Sequence, residues 1–405
     1  MKTILFIHHS SSHGGAGISM VKAIQALSDQ YKIAVAYPAG WLVPESLKTI
    51  GIQLLVYESI PALFPLYSGG SGLFSFGALQ FIRKKNRFRA ELMGLVEEVK
   101  PNIVLVNSIT LSYLGRSIGP DSIKYGCFVR ETIDAHAVFV RRIYKYFLNK
   151  YDHVFFISKY DQKVFSALNT DTSVVRNTYD VSLYDEQHDG VVATNNYGEP
   201  LRILYLGGDS YIKGYFNLLK VCKRLFSDEQ KLGKRRFVFT ICGHMGNGNS
   251  TYISKIKSFL KSLYAKSIFP NVDDAIQNGF FNVIGEVDSL ANQYLNSDVV
   301  FLPIVKPHQQ RAVFEAGVFY KPVIVPRFDC LLEGLSDGIT GIFFDSNDSW
   351  SAIEAFDSLE CNRTLIAKMG LAGRHKAELN HSFEVYKNNL LAAIDRVSLD
   401  VNNDS

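Results

Sequence analysis

Two glycine-rich turns stand out for the chemistry they allow. The first, His13-Gly14-Gly15-Ala16-Gly17, follows the apolar run Ile4-Leu5-Phe6-Ile7 and opens an apolar-periodic stretch. Glycines between a strand and a helix let the backbone approach phosphate, and the helix start supplies amide donors and a positive dipole end. A dinucleotide fingerprint would need a third glycine where Met20 stands. It would also need an acidic residue closing the second strand, which instead ends Ala36-Tyr37-Pro38. Both departures disfavour NAD. The second turn is Leu206-Gly207-Gly208-Asp209-Ser210-Tyr211-Ile212-Lys213-Gly214. It sets the Lys213 ammonium on a loop entering a helix, where it can pair with a diphosphate. The bland alternative is a surface lysine in a turn.

A third stretch runs from Arg311 through Glu315 to Lys321-Pro322 and the apolar Val323-Ile324-Val325. Glu315 lies on an otherwise apolar helix, where a carboxylate is costly unless solvated, paired or liganded. A ribose diol can donate two hydroxyl hydrogens to it. The alternative is an ion pair with Arg311 at i,i+4 spacing. His8, His9 and His13 invite a metal reading, but no acidic or cysteine partner lies near them in sequence. Adjacent His8 and His9 on a strand would point to opposite faces. No Asp-x-Asp pair occurs in the chain. The expectation is a site without metal.

These residues need a scaffold of alternating strands and helices. Residues 1–180 predict strands over Thr3–His8, Tyr31–Tyr37, Leu54–Tyr57, Ile103–Asn107, Tyr125–Arg130 and His153–Ser158. Helices are expected over Gly17–Gln30, Ala90–Lys100 and the basic, aromatic Val138–Asn149. Residues 181–200 are polar and read as a linker. Residues 201–380 repeat the alternation, with strands at Arg202–Leu206, Phe237–Cys242 (ending at Gly243), Phe281–Ile284, Val299–Pro303 and Val323–Val325. Helices there are Tyr215–Phe226, Ser250–Tyr264, Ser289–Asn296, Ala312–Phe319, Ser349–Glu360 and Asn362–Leu379. Residues 381–405 give an amphipathic helix, Phe383–Val397, and a polar tail. The fold class this predicts is α/β, with two Rossmann-like, doubly wound parallel sheets.

Composition supports two ordinary cores: 405 residues, 47% hydrophobic and 20% charged. A net charge of +4 is modest for a nucleic-acid binder. Five scattered cysteines without CxxC spacing argue against disulfides and structural zinc, and fit a reducing compartment. The N-terminal apolar run is too short for a signal peptide. The charge-free segment Ser59–Ile82 is interrupted by two prolines and four glycines, so it is a poor membrane span.

Taken in order along the chain, these features resemble the retaining GT-B glycosyltransferases of the group 1 type (family four). The resemblance rests on Gly14-Gly15-Ala16-Gly17, the strand His153–Ser158 before Lys159-Tyr160, Val175-Arg176-Asn177, Lys213-Gly214 and Gly243. It continues through Gly285, Asp298–Pro303, Phe314-Glu315-Ala316-Gly317 and Lys321–Ile324. It implies two domains facing across a cleft, a nucleotide-diphosphate sugar as donor substrate and no cofactor. Lys213 matches the family's diphosphate lysine, and Glu315 its ribose glutamate. Gly208 stands where the family has an arginine, and Pro307 where it has the first of two paired glutamates. Arg311, in one loop with His308, Gln309 and Gln310, is the expected replacement for the missing charge. In the first half, Arg130 and Glu131 stand near the family's histidine position, Arg130 toward the donor and Glu131 toward the interior. The expected catalytic residues are thus Lys213, Arg130 and Glu131. The donor-binding set is Gly15, Gly17, Gly207, Gly208, Lys213, Gly243, Arg311 and Glu315. The C-terminal helix is expected to pack back on the first domain.

Phe81–Arg89 and Phe139–Leu148 interleave cations with aromatics, which suits an anionic lipid surface. The resemblance therefore implies a cytoplasmic enzyme, peripheral at the inner membrane face, that extends a glycan or lipid-linked acceptor in surface polysaccharide synthesis. Three other readings stand beside it: a catalytically silent GT-B partner subunit, a sugar-nucleotide epimerase, and a nucleic-acid binder.

Overall fold

The computed structural model describes residues 1–10, 14–66, 76–133, 137–179, 198–243, 261–287, 289–346 and 348–398. Contacts divide the chain into two units, Met1–Thr178 with Asn380–Ser405, and Tyr179–Leu379. Most of the sequence-derived linker, and the start of the helix expected from Ser250, lie outside the described residues.

The first unit is built on seven parallel strands: β1 Thr3–Ile7, β2 Lys32–Pro38, β3 Gln53–Tyr57, β4 Ile103–Val106, β5 Lys124–Val129, β6 His153–Phe156 and β7 Asp171–Val174. Their spatial order is β3-β2-β1-β4-β5-β6-β7. The central strands β1 and β4 are apolar on both faces and almost wholly buried, as a helix-covered parallel sheet requires. The second unit has six parallel strands: β8 Leu201–Leu206, β9 Phe237–Cys242, β10 Phe281–Ile284, β11 Val299–Phe301, β12 Val323–Pro326 and β13 Gly341–Phe344. Their order is β10-β9-β8-β11-β12-β13. Both units are therefore Rossmann-like.

The strand order reverses beside β1 and β4 in one unit, and beside β8 and β11 in the other. At such points two neighbouring strands send their following loops apart, which opens a crevice at their carboxyl ends. The fold thus selects the loops after β1, β4, β8 and β11 as the places to look.

The C-terminal helix Phe383–Ser398 belongs to the first unit. Its Tyr386, Leu390, Ala393, Ile394 and Val397 join Met20, Ile24 and Leu27 of the helix Gly15–Leu27 in one core. Lys387 Nζ to Asp29 Oδ2 (2.9 Å) and Tyr31 Oη to Asp395 Oδ1 (3.3 Å) border that contact.

Several elements differ from expectation. The helix expected at Ala90 starts at Phe76, because Phe88, Leu92 and Val96 bury one face while the cationic run 83–89 hides the periodicity. The strand expected to reach Ser158 stops at Phe156. Ser158 instead caps the helix Lys159–Val164, its side chain accepting from Asp161 N at 3.0 Å. Strand β7 and the helix Val272–Gln277 have no sequence signal of their own, whereas β13 carries the apolar Ile342-Phe343-Phe344, which sequence reasoning passed over. They are short, and β7 is a half-buried edge strand.

Candidate active site

In the second unit the turn after β8 folds back over the end of β9. The backbone N–H groups of Gly207 and Gly208 both donate to Cys242 O, at 3.1 and 3.0 Å. Gly208 and Gly243 have positive φ, and a Cβ on Gly243 would lie 2.8 Å from Gly208 N. Gly214, at φ +86°, starts the helix Tyr215–Leu232 directly against the end of β11. A Cβ there would run into Pro303 O. The glycines are needed because backbone packs on backbone at the switch point.

This packing carries Lys213 to the loop after β11. Lys213 Nζ donates to Gln310 Oε1 at 2.9 Å. Burial lowers the Lys213 pKa, opposed by the charge of Glu315. Gln310 is 6% exposed, and its Nε2 has no hydrogen-bond partner among the described residues. It precedes the helix Arg311–Val318, whose start carries no capping side chain and no acidic residue. An ammonium, an unpartnered amide donor and an open helix start therefore meet at one point. That combination has the chemistry that suits a phosphate.

Glu315 lies one turn further along and is buried. Arg311 Nε donates to its Oε1 at 3.0 Å, so the i,i+4 pair is formed. Tyr294 Oη donates to its Oε2 at 3.4 Å, with the Tyr294 ring stacked on Phe319. His308 Nδ1 lies 2.7 Å from Lys306 O, so Nδ1 carries the proton. Burial and the nearby Lys213 charge lower its pKa to about 4. Gln309 Nε2 turns away to Cys330 O, 2.8 Å distant. Asp209 is neutralised by Lys261 at 2.7 Å. Tyr294, far from Glu315 in sequence, had no signal that would have marked it.

In the first unit, Gly15 opens the helix Gly15–Leu27 and is exposed, whereas Gly17 is buried. The loop after β4 contributes Asn107, which sequence reasoning passed over. Asn107 Nδ2 donates to Ala16 O at 3.0 Å, and its Oδ1 accepts from Arg130 Nε at 2.7 Å. Arg130 Nη1 also reaches Asn177 Oδ1 at 3.4 Å, and its guanidinium lies 4.5 Å over the Phe128 ring. Glu131 points inward. Its oxygens accept from Ser108 Oγ at 2.6 Å and from Ile109 N at 3.0 Å. Burial raises its pKa against those two bonds and the Arg130 charge. Glu131 thus positions the β4 loop. His8 and His9 do not alternate as strand residues: β1 ends at Ile7, and the two rings meet edge to face with centroids 5.5 Å apart. His13 lies outside the described residues. Among the described residues, no group of three or more His, Cys, Asp or Glu is placed to hold a metal.

Residues 191–376 match the family of group 1 glycosyl transferases. They form a group 1 glycosyltransferase domain.

The chain is also similar in fold to solved glycosyltransferase structures. HepE of Anabaena, solved with UDP and glucose, has a TM-score of 0.72 at 14% identity, over 98% of this chain and 100% of that one. Sucrose-phosphate synthase of Thermosynechococcus elongatus has a TM-score of 0.74 at 12% identity, over 98% and 99%. A trehalose-6-phosphate synthase studied for glycosyl transfer with retention has a TM-score of 0.69 at 11% identity, over 98% and 99%. At these identities the likeness is one of fold, and it spans both units. No curated protein is significantly similar in sequence. Within the glycosyltransferase domain, the matched region contains both Lys213 and Glu315.

Proposed function

We propose that this chain transfers a sugar from a nucleoside diphosphate sugar to a glycan or lipid-linked acceptor, with retention and without a metal. One observation carries the reading: Lys213, Gln310 and the open start of the helix Arg311–Val318 converge at the switch point of the glycosyltransferase domain. Solved neighbours of this fold hold UDP and glucose, which supports a nucleotide sugar as donor. The retention studied in another neighbour supports that stereochemistry.

As the glycosyl bond breaks, negative charge grows on the leaving diphosphate. The Lys213 ammonium donates an N–H hydrogen bond to it, and Gln310 Nε2 and the first amides of the helix add neutral donors. Fixed donors of this kind are worth a few kcal/mol each in the transition state. Glu315, held by Arg311 and Tyr294, keeps lone pairs for a ribose diol. Arg311 is proposed to act through Glu315 and to add positive potential near the phosphates. In the first unit, Arg130 is the proposed cation for the reacting sugar, steadied by Asn107.

The cationic helices support a peripheral place on an anionic membrane, as in surface polysaccharide synthesis. Ile82, Phe139 and Tyr146 are exposed beside Arg83, Arg87 and Arg142, with no Asp or Glu between residues 59 and 90 or between 137 and 151. Among the described residues, no helix is long and apolar enough to cross a membrane.

The test is nucleotide release from a panel of UDP-, GDP-, dTDP- and CMP-sugars, with and without membrane extract. Release from one donor, lost in Lys213→Ala, supports the transferase. A second reading, a silent partner subunit, is favoured by Pro307 standing where a sugar-contacting carboxylate is expected. Donor binding without release, extract included, would select it.

A further inference from the structure

Val175-Arg176-Asn177 follows β7 directly, where the chain leaves the first unit, and the transfer reading gives it no role. Val175 N still donates to Phe156 O at 2.8 Å. Residues 175–179 belong to no strand or helix. The position of Asn177 is therefore set by side-chain partners and not by a ladder.

The first unit breaks off at Thr178 and resumes at Asn380. The helix Thr364–His381 brings the chain back across that boundary, and His381 is its last residue. One residue later the C-terminal helix begins, with Tyr386, Leu390 and Ile394 in the core of the first unit. His381 thus sits at a corner between two helices.

The outgoing and returning segments are tied to each other twice. His381 Nδ1 lies 2.7 Å from Asn177 O; a carbonyl can only accept, so Nδ1 carries the proton. Thr178 is buried, and its Oγ1 donates to His381 O at 2.7 Å. From this joint the Asn177 side chain reaches into the site. Its Oδ1 accepts from Arg130 Nη1 at 3.4 Å and from Ser19 Oγ at 2.9 Å. Asn107 holds the other side of the same guanidinium, at Nε, and donates to Ala16 O. Ala16 and Ser19 both lie on the helix Gly15–Leu27. Two asparagines therefore clamp Arg130 against one helix. Asn107 is placed by its own backbone, whose N–H donates to Ile7 O at 3.1 Å. Asn177 is placed by His381. An arginine side chain has about 2 kcal/mol of rotamer entropy to lose, so a clamp that is itself fixed decides where the cation stays.

We infer that His381 is a positioning residue: through the Asn177 backbone it sets the amide oxygen that orients Arg130, so the joint where the chain re-enters the first unit fixes the cation of the site. This rests on reading Arg130 as the cation for the reacting sugar.

Two measurements keep the positioning apart from that reading. The first needs no turnover. The Arg130 Nε–H signal, assigned in a ¹⁵N-arginine spectrum with Arg130→Lys, is expected to move in His381→Leu. It should return in His381→Asn, whose Nδ2 can donate from the place of the imidazole Nδ1. Should His381→Leu fail to fold, His381→Gln, which carries its amide one carbon too far out, takes its place. A signal that stays put in the variant overturns the inference, whatever the activity. The second measurement is a kinetic cycle. His381→Leu is expected to lower kcat about fivefold, as loss of one hydrogen bond does, with little change in donor KM. In an Arg130→Ala background the same substitution should cost nothing more, because both residues act along one path. Additive losses would mean that His381 acts elsewhere, and overturn the inference. A native chain that turns over no sugar defeats the transfer reading alone, and the spectrum still decides whether His381 places Arg130.

Discussion

The two switch points share a topology and differ in charge. Beside β8 and β11 the rim carries a buried ammonium, Lys213, answered by the neutral Gln310, and a carboxylate, Glu315, one turn beyond. Beside β1 and β4 the rim is a web of amides and imidazoles, Asn107, Asn177, His8 and His9, around the Arg130 guanidinium, whose carboxylate neighbour Glu131 is turned inward. The same backbone plan therefore gives one rim a buried cation beside a carboxylate, and the other a set of amides and imidazoles around a guanidinium. Function on this fold is set by the few side chains at the rim.

The difference can be broken most sharply at Lys213. Lys213→Ala is expected to lower sugar transfer by about 10²–10³-fold, as removal of a transition-state donor does, with little change in melting temperature. Asn107→Ala in the other rim should cost less, about tenfold in kcat, because it only frees Arg130. Equal losses from the two variants, read from steady-state kinetics, would erase the distinction.

Gly214→Ala tests whether the second rim depends on backbone contact. The new Cβ meets Pro303 O at positive φ, and a loss of about 3 kcal/mol in urea unfolding is expected. An unchanged midpoint would mean that the turn can move away from β11.

Both rims hold histidines that burial keeps neutral, His8 and His9 in the first and His308 in the second, so both respond to acid. His8 and His9 have folded pKa values near 3 and 4, below the unfolded value of 6.5. The unfolded chain then binds more protons below pH 6.5, so stability contributed by their neutral burial is lost as pH falls from about 6.5 toward 4. Replacing both with Asn should flatten that slope in melting curves. In the second unit Lys321 is fully buried, with its pKa lowered to about 8 by burial, Asp298 opposing. The unfolded chain binds the extra proton between pH 8 and 10.5, so stability should rise modestly with pH across that window. Lys321→Met should remove this smaller rise, and a persistent rise would assign it elsewhere.

Much of this was legible along the chain. Fully apolar runs such as Ile103–Val106 and Val323–Pro326 mark buried parallel strands wherever they fall. Lys213 and Glu315 were visible because a cation in a glycine turn and a carboxylate in an apolar helix each contradict their local context. Asn107 and Tyr294 were not visible. An asparagine after a strand and a tyrosine in a short helix are locally ordinary, and their roles arise only from partners more than twenty residues away.

The sequence by itself determined the two rounds of strand–helix alternation, the glycine positions where backbone meets backbone, and the residue types available at each rim. Those follow from periodicity and from the φ angles that only glycine adopts without strain. The tertiary structure decided which strands adjoin, and so where each crevice opens. It also decided that Lys213 answers Gln310, that Arg311 is bound to Glu315, and that His8 keeps its proton on the nitrogen facing away from Asn107. Strand order and side-chain pairing depend on contacts between residues far apart in the chain, and no local pattern records them.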